Sequence, residues 1–468
     1  GCACCPPNLA RLLSSLDEYM YTVKDDAIYS NLYVSNKSDF KINNQVISIE
    51  ENTDYPWDGK ITFKVNSEAT FKLGLRIPNW ANRYLFKVNG KEFTPKIEKG
   101  YAISLRSLSS LASKLYPNKT LLIAMQRTIS IILFKLEGQL IKRNPDFQMD
   151  SRLLLDKIDY TSKHIKINNI SYPIKSPSFP TINPQNPYEL SLEEAEVLSD
   201  IKSAFLDSVR LRKHIDFLYQ KGSVYKAYNN NLLYHGCIPL NDDGSFMRIH
   251  LNNKYYSGKN YLDFVDKTIR QAYLGLYEQK NIDLMYYFWC GRYSPFSGRE
   301  FKTFERMFIE DTDTWIEPSD AYYKYCNDEK ICDMILEEFS LKTKRGHIIN
   351  GHVPVKVKEG ESPVKANGKL IIIDGGFCKA YHKKTGIAGY TLISNSRGLR
   401  LLEHQSCANI KESLKANQDI ESVSCTLELQ NYHSSTADTD LGEEIQCQIN
   451  DIYHLMLAYQ NGLVPEQA

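Results

Sequence analysis

The chain has 468 residues, 42% hydrophobic and 24% charged, with a formal net charge of +1. This length is a soft prior for about three domains with real cores. The even charge balance argues against a nucleic-acid-binding polycation or an acidic tail. The first pattern along the chain runs from Asn8 to Tyr21, where Leu9, Leu12, Leu13, Leu16 and Met20 follow helical spacing. A helix is therefore expected at about 8–21, with Pro6 and Pro7 at or before its first turn. From Ala27 the pattern changes to strands. Thr62-Phe63-Lys64-Val65 and Phe71 to Ile77 alternate with period two, and Asn89-Gly90 supplies the positive φ of a tight hairpin turn. Short strands over this stretch predict an antiparallel β-sandwich at 33–106.

The longest apolar run, Leu121 to Leu133, is interrupted by Gln126, Arg127 and Thr128. It is shorter than the roughly eighteen residues of a membrane span, so no membrane partner is expected. Residues 176–190 form a proline-studded loop leading to Ser191-Leu192-Glu193-Glu194, a helix start with a capping box. Late in the chain, Ile348-Ile349 predicts a strand running into Gly351-His352. A second apolar strand, Leu370 to Ile373, then runs into Asp374-Gly375-Gly376. Strand then Gly-His puts an imidazole at the open end of a sheet, where it can reach a metal while nearby loops offer cations and N–H groups to a phosphate. The eleven cysteines comprise Cys2, Cys4 and Cys5 and then none until Cys237. An odd total without regular spacing predicts reduced thiols in a cytoplasmic protein rather than a disulfide framework.

Two resemblances divide the chain. Cys4-Cys5-Pro6-Pro7-Asn8-Leu9-Ala10-Arg11, Tyr29-Ser30-Asn31-Leu32-Tyr33 and Leu75-Arg76-Ile77-Pro78-Asn79-Trp80 are similar to family-127 glycoside hydrolases, the β-L-arabinofuranosidases. The resemblance implies residues 1–32 as the end of an α-barrel, followed by the sandwich at 33–106. It also implies Cys4 as a remnant nucleophile and Cys4 and Cys5 as zinc ligands, since zinc keeps a thiolate deprotonated at neutral pH. After a junction at 107–124, residues 125–468 resemble class III fructose-1,6-bisphosphatases. The match rests on Met149-Asp150-Ser151-Arg152-Leu153-Leu154-Leu155-Asp156, Tyr234-His235-Gly236-Cys237, Trp289-Cys290-Gly291 and the 346–392 run. The fold class expected is α+β and multidomain, ending in an incomplete calcineurin-like metallophosphatase α/β sandwich.

That second resemblance implies a manganese-dependent hydrolase acting on a sugar phosphate, fructose 1,6-bisphosphate, in gluconeogenesis. His235 and His352 match the last two of the family's five metal-binding motifs and are expected to serve one metal. Their nearest ring nitrogens should then lie about 3–5 Å apart. Lys365, Lys369 and Lys379 are candidates for binding the sugar phosphate, with Arg143, Arg299 and Arg306 as weaker ones, while His347 is expected to be structural. The sequence contains no Asp-x-His, Gly-Asp-x-x-Asp or Gly-Asn-His-Glu motif. The chain is therefore expected to be catalytically impaired, with Asp242, Asp243 and Asp374 the first places to seek replacement ligands. The alternatives are a non-catalytic composite of two enzyme remnants and a zinc-dependent β-L-arabinofuranosidase fragment.

Overall fold

The structure is a computed structural model. It describes residues 20–464 apart from 25, 43, 78–83, 95–104, 276–278, 377–384, 387–388 and 405–421. The helix expected at 8–21, Cys4, Cys5 and Lys379 lie outside the described residues, save for the last two positions of that helix. The chain divides into two compact units, Gly1–Glu98 and Lys99–Ala468. Together they are mixed α/β, with several small sheets and ten α-helices among the described residues. None of those helices is long and apolar enough to cross a membrane.

In the first unit the strands are β1 (Tyr21–Lys24), β2 (Ala27–Ser30), β3 (Asn36–Ile42), β4 (Gln45–Thr53), β5 (Ile61–Ser67), β6 (Lys72–Leu75), β7 (Phe86–Val88) and β8 (Lys91–Phe93). β3, β4 and β5 form an antiparallel meander, and Asn89 (φ 48°) and Gly90 (φ 78°) make the β7–β8 turn. Two expectations change here. Residues 21–30, read as the end of an α-barrel, form two strands. The sandwich is also not wholly antiparallel, because β2 pairs with β6 in parallel. Period-two alternation reports which side chains are buried, not which distant strand becomes the neighbour. Ile28, Ile47 and Ile49, all fully buried, pack with Ile42, Phe40, Phe63 and Leu73.

The second unit begins with α1 (Arg106–Leu115) and α2 (Leu121–Arg143). The polar interruption of the apolar run lies in α2: Arg127 is buried and donates to the Ser176 and Ser178 carbonyls. A small sheet of β9 (Ile158–Asp159), β10 (His164–Ile167) and β11 (Ile170–Pro173) follows. Next come α3 (Leu192–Leu206), with the expected Ser191/Glu194 capping box, and α4 (Val209–Lys221). β12 (Tyr225–Tyr228), β13 (Asn231–Tyr234), the hairpin β14 (Ile249–Leu251) and β15 (Lys254–Tyr256), and helices α5 (Gly258–Tyr273), α6 (Gln279–Cys290), α7 (Thr303–Phe308), α8 (Tyr322–Tyr325) and α9 (Glu329–Glu338) come before β16 (His347–Asn350). After β17 (Val364–Lys365) and β18 (Leu370–Ile372), the described chain closes with β19 (Gly389–Asn395), β20 (Gly398–His404), β21 (Ser422–Leu429) and α10 (Asp440–Gln460).

The central feature is a mixed five-stranded sheet in the order β12-β13-β16-β18-β17. Its three inner strands, β13, β16 and β18, run parallel, with antiparallel partners at both edges. Parallel strands need cover on both faces, which explains why Leu232, Ile348, Leu370 and Ile371 are each at most 1% exposed.

Candidate functional site

The parallel register fixes where the chemistry collects. Leu232 pairs with Ile348 and Ile349 with Ile371, so all three inner strands end at the same edge. His235 follows β13, Gly351-His352 follows β16, and Asp374-Gly375-Gly376 lies two residues beyond β18. Open α/β sheets present ligand sites at the carboxyl ends of their strands.

The geometry brings the two histidines together. His235 Nε2 lies 3.1 Å from His352 Nδ1, within the expected span. His352 occupies φ 67°, and Val353 N–H bonds to the Gly351 carbonyl at 2.8 Å. This i→i+2 bond around a positive φ marks a tight γ-turn, a conformation that costs strain in a non-glycine residue. The Ser297 carbonyl accepts a hydrogen bond from the same ring, a support pattern common behind metal-ligating histidines. Gly236 is forced by packing, since a Cβ there would sit 2.5 Å from the Pro295 carbonyl oxygen and 2.8 Å from that of Phe296.

A buried polar relay ties the strand ends behind the rings. Tyr234 OH meets Tyr322 OH at 2.8 Å, and Asn350 Nδ2 donates to Tyr322 OH at 2.8 Å and to the Gly236 carbonyl at 3.4 Å. Burial, then the neighbouring His235, then the Arg299 cation hold the His352 ring below its ordinary pKa, while Asp374 acts in the opposite direction. The ring is thereby kept neutral, the state in which a nitrogen lone pair can be donated. Asp320 accepts from Leu240 N and Tyr322 N, and burial pushes its carboxyl up to about 6. Cys237, fully buried, has its thiol pushed well up and offers no thiolate.

The other candidates divide cleanly. Arg299 lies close enough to act on His352. Arg143 forks onto Asp283 with two 2.6 Å bonds, and Arg306 faces Glu317 at 3.4 Å. Lys365 pairs with Glu361 at 2.5 Å and Lys369 with Asp333 at 2.9 Å. Both lysines sit beside the start of β18, at the opposite end of the sheet from the histidines. His347 bonds the Gly368 carbonyl and faces Glu428 at that same far end. Asp374 is beside the site: its Cβ lies 3.7 Å from where a Gly351 Cβ would stand. Asp243 is occupied by Ser245, and the Asp242 carbonyl accepts from Tyr325.

Two imidazole nitrogens at this spacing can share an ion lying about 2 Å from each. They make up part of a ligand set, because no group of three or more His, Cys, Asp or Glu side chains among the described residues is arranged to hold a metal. Sequence reasoning did not single out Ser297, Asp320, Tyr322 or Asn350. Only Asn350 carried a local signal, as the residue preceding Gly351-His352.

Two imidazoles thus meet at the carboxyl edge of a parallel sheet. A family model described as Firmicute fructose-1,6-bisphosphatase matches residues 91–461, and one described as Beta-L-arabinofuranosidase, GH127 middle domain, matches residues 27–109. The chain belongs to the Firmicute fructose-1,6-bisphosphatase family, with a segment similar to the glycoside-hydrolase middle domain before it. It is 46% identical to the class 3 fructose-1,6-bisphosphatase of Clostridium botulinum over 395 residues, covering 79% of this chain and 59% of that protein. The Clostridium tetani enzyme of the same description is also 46% identical over 394 residues, covering 79% and 60%. The chain thus spans about three fifths of the length of these relatives. Among solved structures, a GH127 β-L-arabinofuranosidase from Geobacillus stearothermophilus is 41% identical over 20% of this chain and 15% of that chain, with a TM-score of 0.19. A second GH127 β-arabinofuranosidase is 36% identical over 21% and 18%, with the same TM-score.

Proposed function

We propose that residues 125–468 derive from a phosphatase acting on fructose 1,6-bisphosphate in cytoplasmic gluconeogenesis, and that His235 and His352 hold one divalent cation, manganese. The carrying observation is the 3.1 Å approach of His235 Nε2 to His352 Nδ1 at the carboxyl edge of the sheet. A bound cation there would supply Lewis acidity to a phosphoryl oxygen and lower the pKa of a water. This chain's own contribution is positional: the γ-turn and the Ser297 carbonyl aim His352, and Arg299 offers a nearby positive charge to a phosphate. Lys365 and Lys369 could contribute only by giving up Glu361 and Asp333. The calcineurin-like assignment of this sheet is part of the same proposal, supported by the order of Tyr234-His235-Gly236 and Asn350-Gly351-His352 along parallel strands.

The 468-residue chain should nevertheless turn over little substrate. Hard cations such as manganese prefer oxygen ligands, and two imidazoles with Asp374 nearby make a weak site. Losing even one oriented component of a concerted site costs orders of magnitude in rate. The expected result is weak manganese binding, seen by calorimetry and lost in His352→Ala, with phosphate release at background level. Manganese-dependent turnover at an ordinary enzymatic rate, abolished by His352→Ala, would overturn the impairment.

The front of the chain, by the same reasoning, is a glycosidase remnant, with Cys4 and Cys5 as its zinc ligands. Two thiolates without the family's further ligands hold zinc weakly, so the expected observation is weak zinc binding, seen by calorimetry and lost in Cys4→Ser. Absence of bound zinc would refute it.

A further inference from the structure

α10 is a 21-residue helix whose sole buried residue is Gly442. It is tied down at its first turn, where Asn229 N donates to Asp440 Oδ2 at 2.8 Å and Asp440 N to Asn229 Oδ1 at 3.1 Å. Beyond that turn Ile445, Ile449, Ile452, Met456 and Tyr459 are 40–59% exposed, and Leu463, just past the helix, is 77% exposed. The steps from Ile445 through Ile449, Ile452 and Met456 to Tyr459 alternate four and three residues, the spacing of a coiled-coil seam. In proteins most helical stability comes from the packing of an amphipathic face, so an apolar stripe of this kind takes its stability from a partner.

We propose that α10 pairs antiparallel with α10 of a second copy of this chain, about a two-fold axis near His454. The register is self-complementary. Ile449 layers against Tyr459 of the second copy and Ile452 against Met456, so these four seam residues find partners of the opposite heptad position, while Ile445 reaches past the end of the partner helix, which Gly462 (φ 67°) closes. A two-fold interface requires this reciprocity.

The charges select the same arrangement. The positions flanking the seam are Gln446, Gln448, Tyr453, Leu455 and Gln460, so self-pairing meets no like-charge repulsion. Near the axis Tyr453 faces its own copy, as does Leu455, which accounts for exposed apolar residues beside the seam (58% and 49% exposed). Asp451 and His454 lie off the seam. Asp440, Glu443 and Glu444 all occupy the first turns. Parallel pairing would set these acids against their copies, whereas antiparallel pairing sends them to opposite ends and opposes the helix dipoles. The anchoring Asp440–Asn229 contact then puts the two bodies at opposite ends of the seam.

The test is light scattering after size-exclusion chromatography of the full 468-residue chain at tens of micromolar. The expected mass is twice the 53.9 kDa of one chain. Ile449→Lys and Tyr459→Glu should each halve that mass, while Asn450→Lys, off the seam, should leave it unchanged. Mixing the Ile449→Lys and Tyr459→Glu chains should restore the doubled mass, because the antiparallel register sets one new Lys against one new Glu and leaves the other layer intact. A monomeric wild-type chain, or either seam variant remaining dimeric, would overturn the proposal. Failure of mixing to restore the dimer would overturn the antiparallel register.

Discussion

The site depends on residues whose local conformation carries a cost. Gly236 sits where the 295–296 backbone leaves no room for a Cβ. Gly236→Ala must push that loop away or move His235, and overpacking against backbone costs about 1–3 kcal/mol. The measurement is a urea midpoint together with manganese calorimetry; a stable variant with unchanged binding would show that the loop yields freely. Asp320 allows a test of sign. Its folded carboxyl titrates at about 6 against an ordinary 3.8, so the folded state binds the proton more tightly. Its contribution to stability is fully present below 3.8 and lost as pH rises through about 6. Asp320→Asn keeps an acceptor for Leu240 N and Tyr322 N but removes the ionisation. Stability of the variant relative to wild type should therefore increase between about pH 4 and about pH 7.5. A difference that does not change with pH would refute the buried ionisation.

At the level of elements, the Tyr234–Tyr322–Asn350 relay joins the ends of β13 and β16 just before each histidine. Tyr322→Phe leaves two buried polar groups, Tyr234 OH and Asn350 Nδ2, without that partner, and Asn350 Oδ1 already has no hydrogen-bond partner. The expected loss is about 2–3 kcal/mol of stability, with weaker metal binding as the strand ends loosen. Tyr234→Phe, which spares the Asn350–Tyr322 bond, should cost about 1 kcal/mol. Equal effects from the two would show that the chain does not act as a relay. The elements readable from sequence are those set by local chemistry. Asn89-Gly90 turns because both residues adopt positive φ, Ser191 caps because Glu194 reaches back to it, and Ile348-Ile349 becomes a buried strand. The β2–β6 parallel pairing and the Lys369–Asp333 ion pair join residues far apart in the chain. No periodicity encodes such partners. The lysines therefore looked available in sequence although the fold had already paired Lys365 and Lys369. The same limit hid Tyr322, which reaches Tyr234 and Asn350 from a short helix, and Ser297, which stands beside His352, neither of them within a motif.

Among the described residues each buried apolar cluster draws on one unit only, a single cluster in the first and several in the second. One is Ile28, Ile42, Ile47 and Ile49 with its partners; another joins Leu232, Ile348, Leu370 and Ile371 beneath the histidines. The sequence places a junction at 107–124, on the principle that a shift from period two to helical spacing marks a change of architecture, whereas the two units divide between Glu98 and Lys99. Separate cores predict separate cooperative transitions, since two-state behaviour belongs to a single packed domain. Ile49→Ala removes a fully buried side chain from the first core, and such truncations cost about 2–5 kcal/mol. Scanning calorimetry of the full chain should show two transitions, with Ile49→Ala lowering one of them by many degrees. The other should stay in place, along with any manganese binding that depends on His352. A single transition that moves as a whole with Ile49→Ala would mean that the two cores fold as one unit.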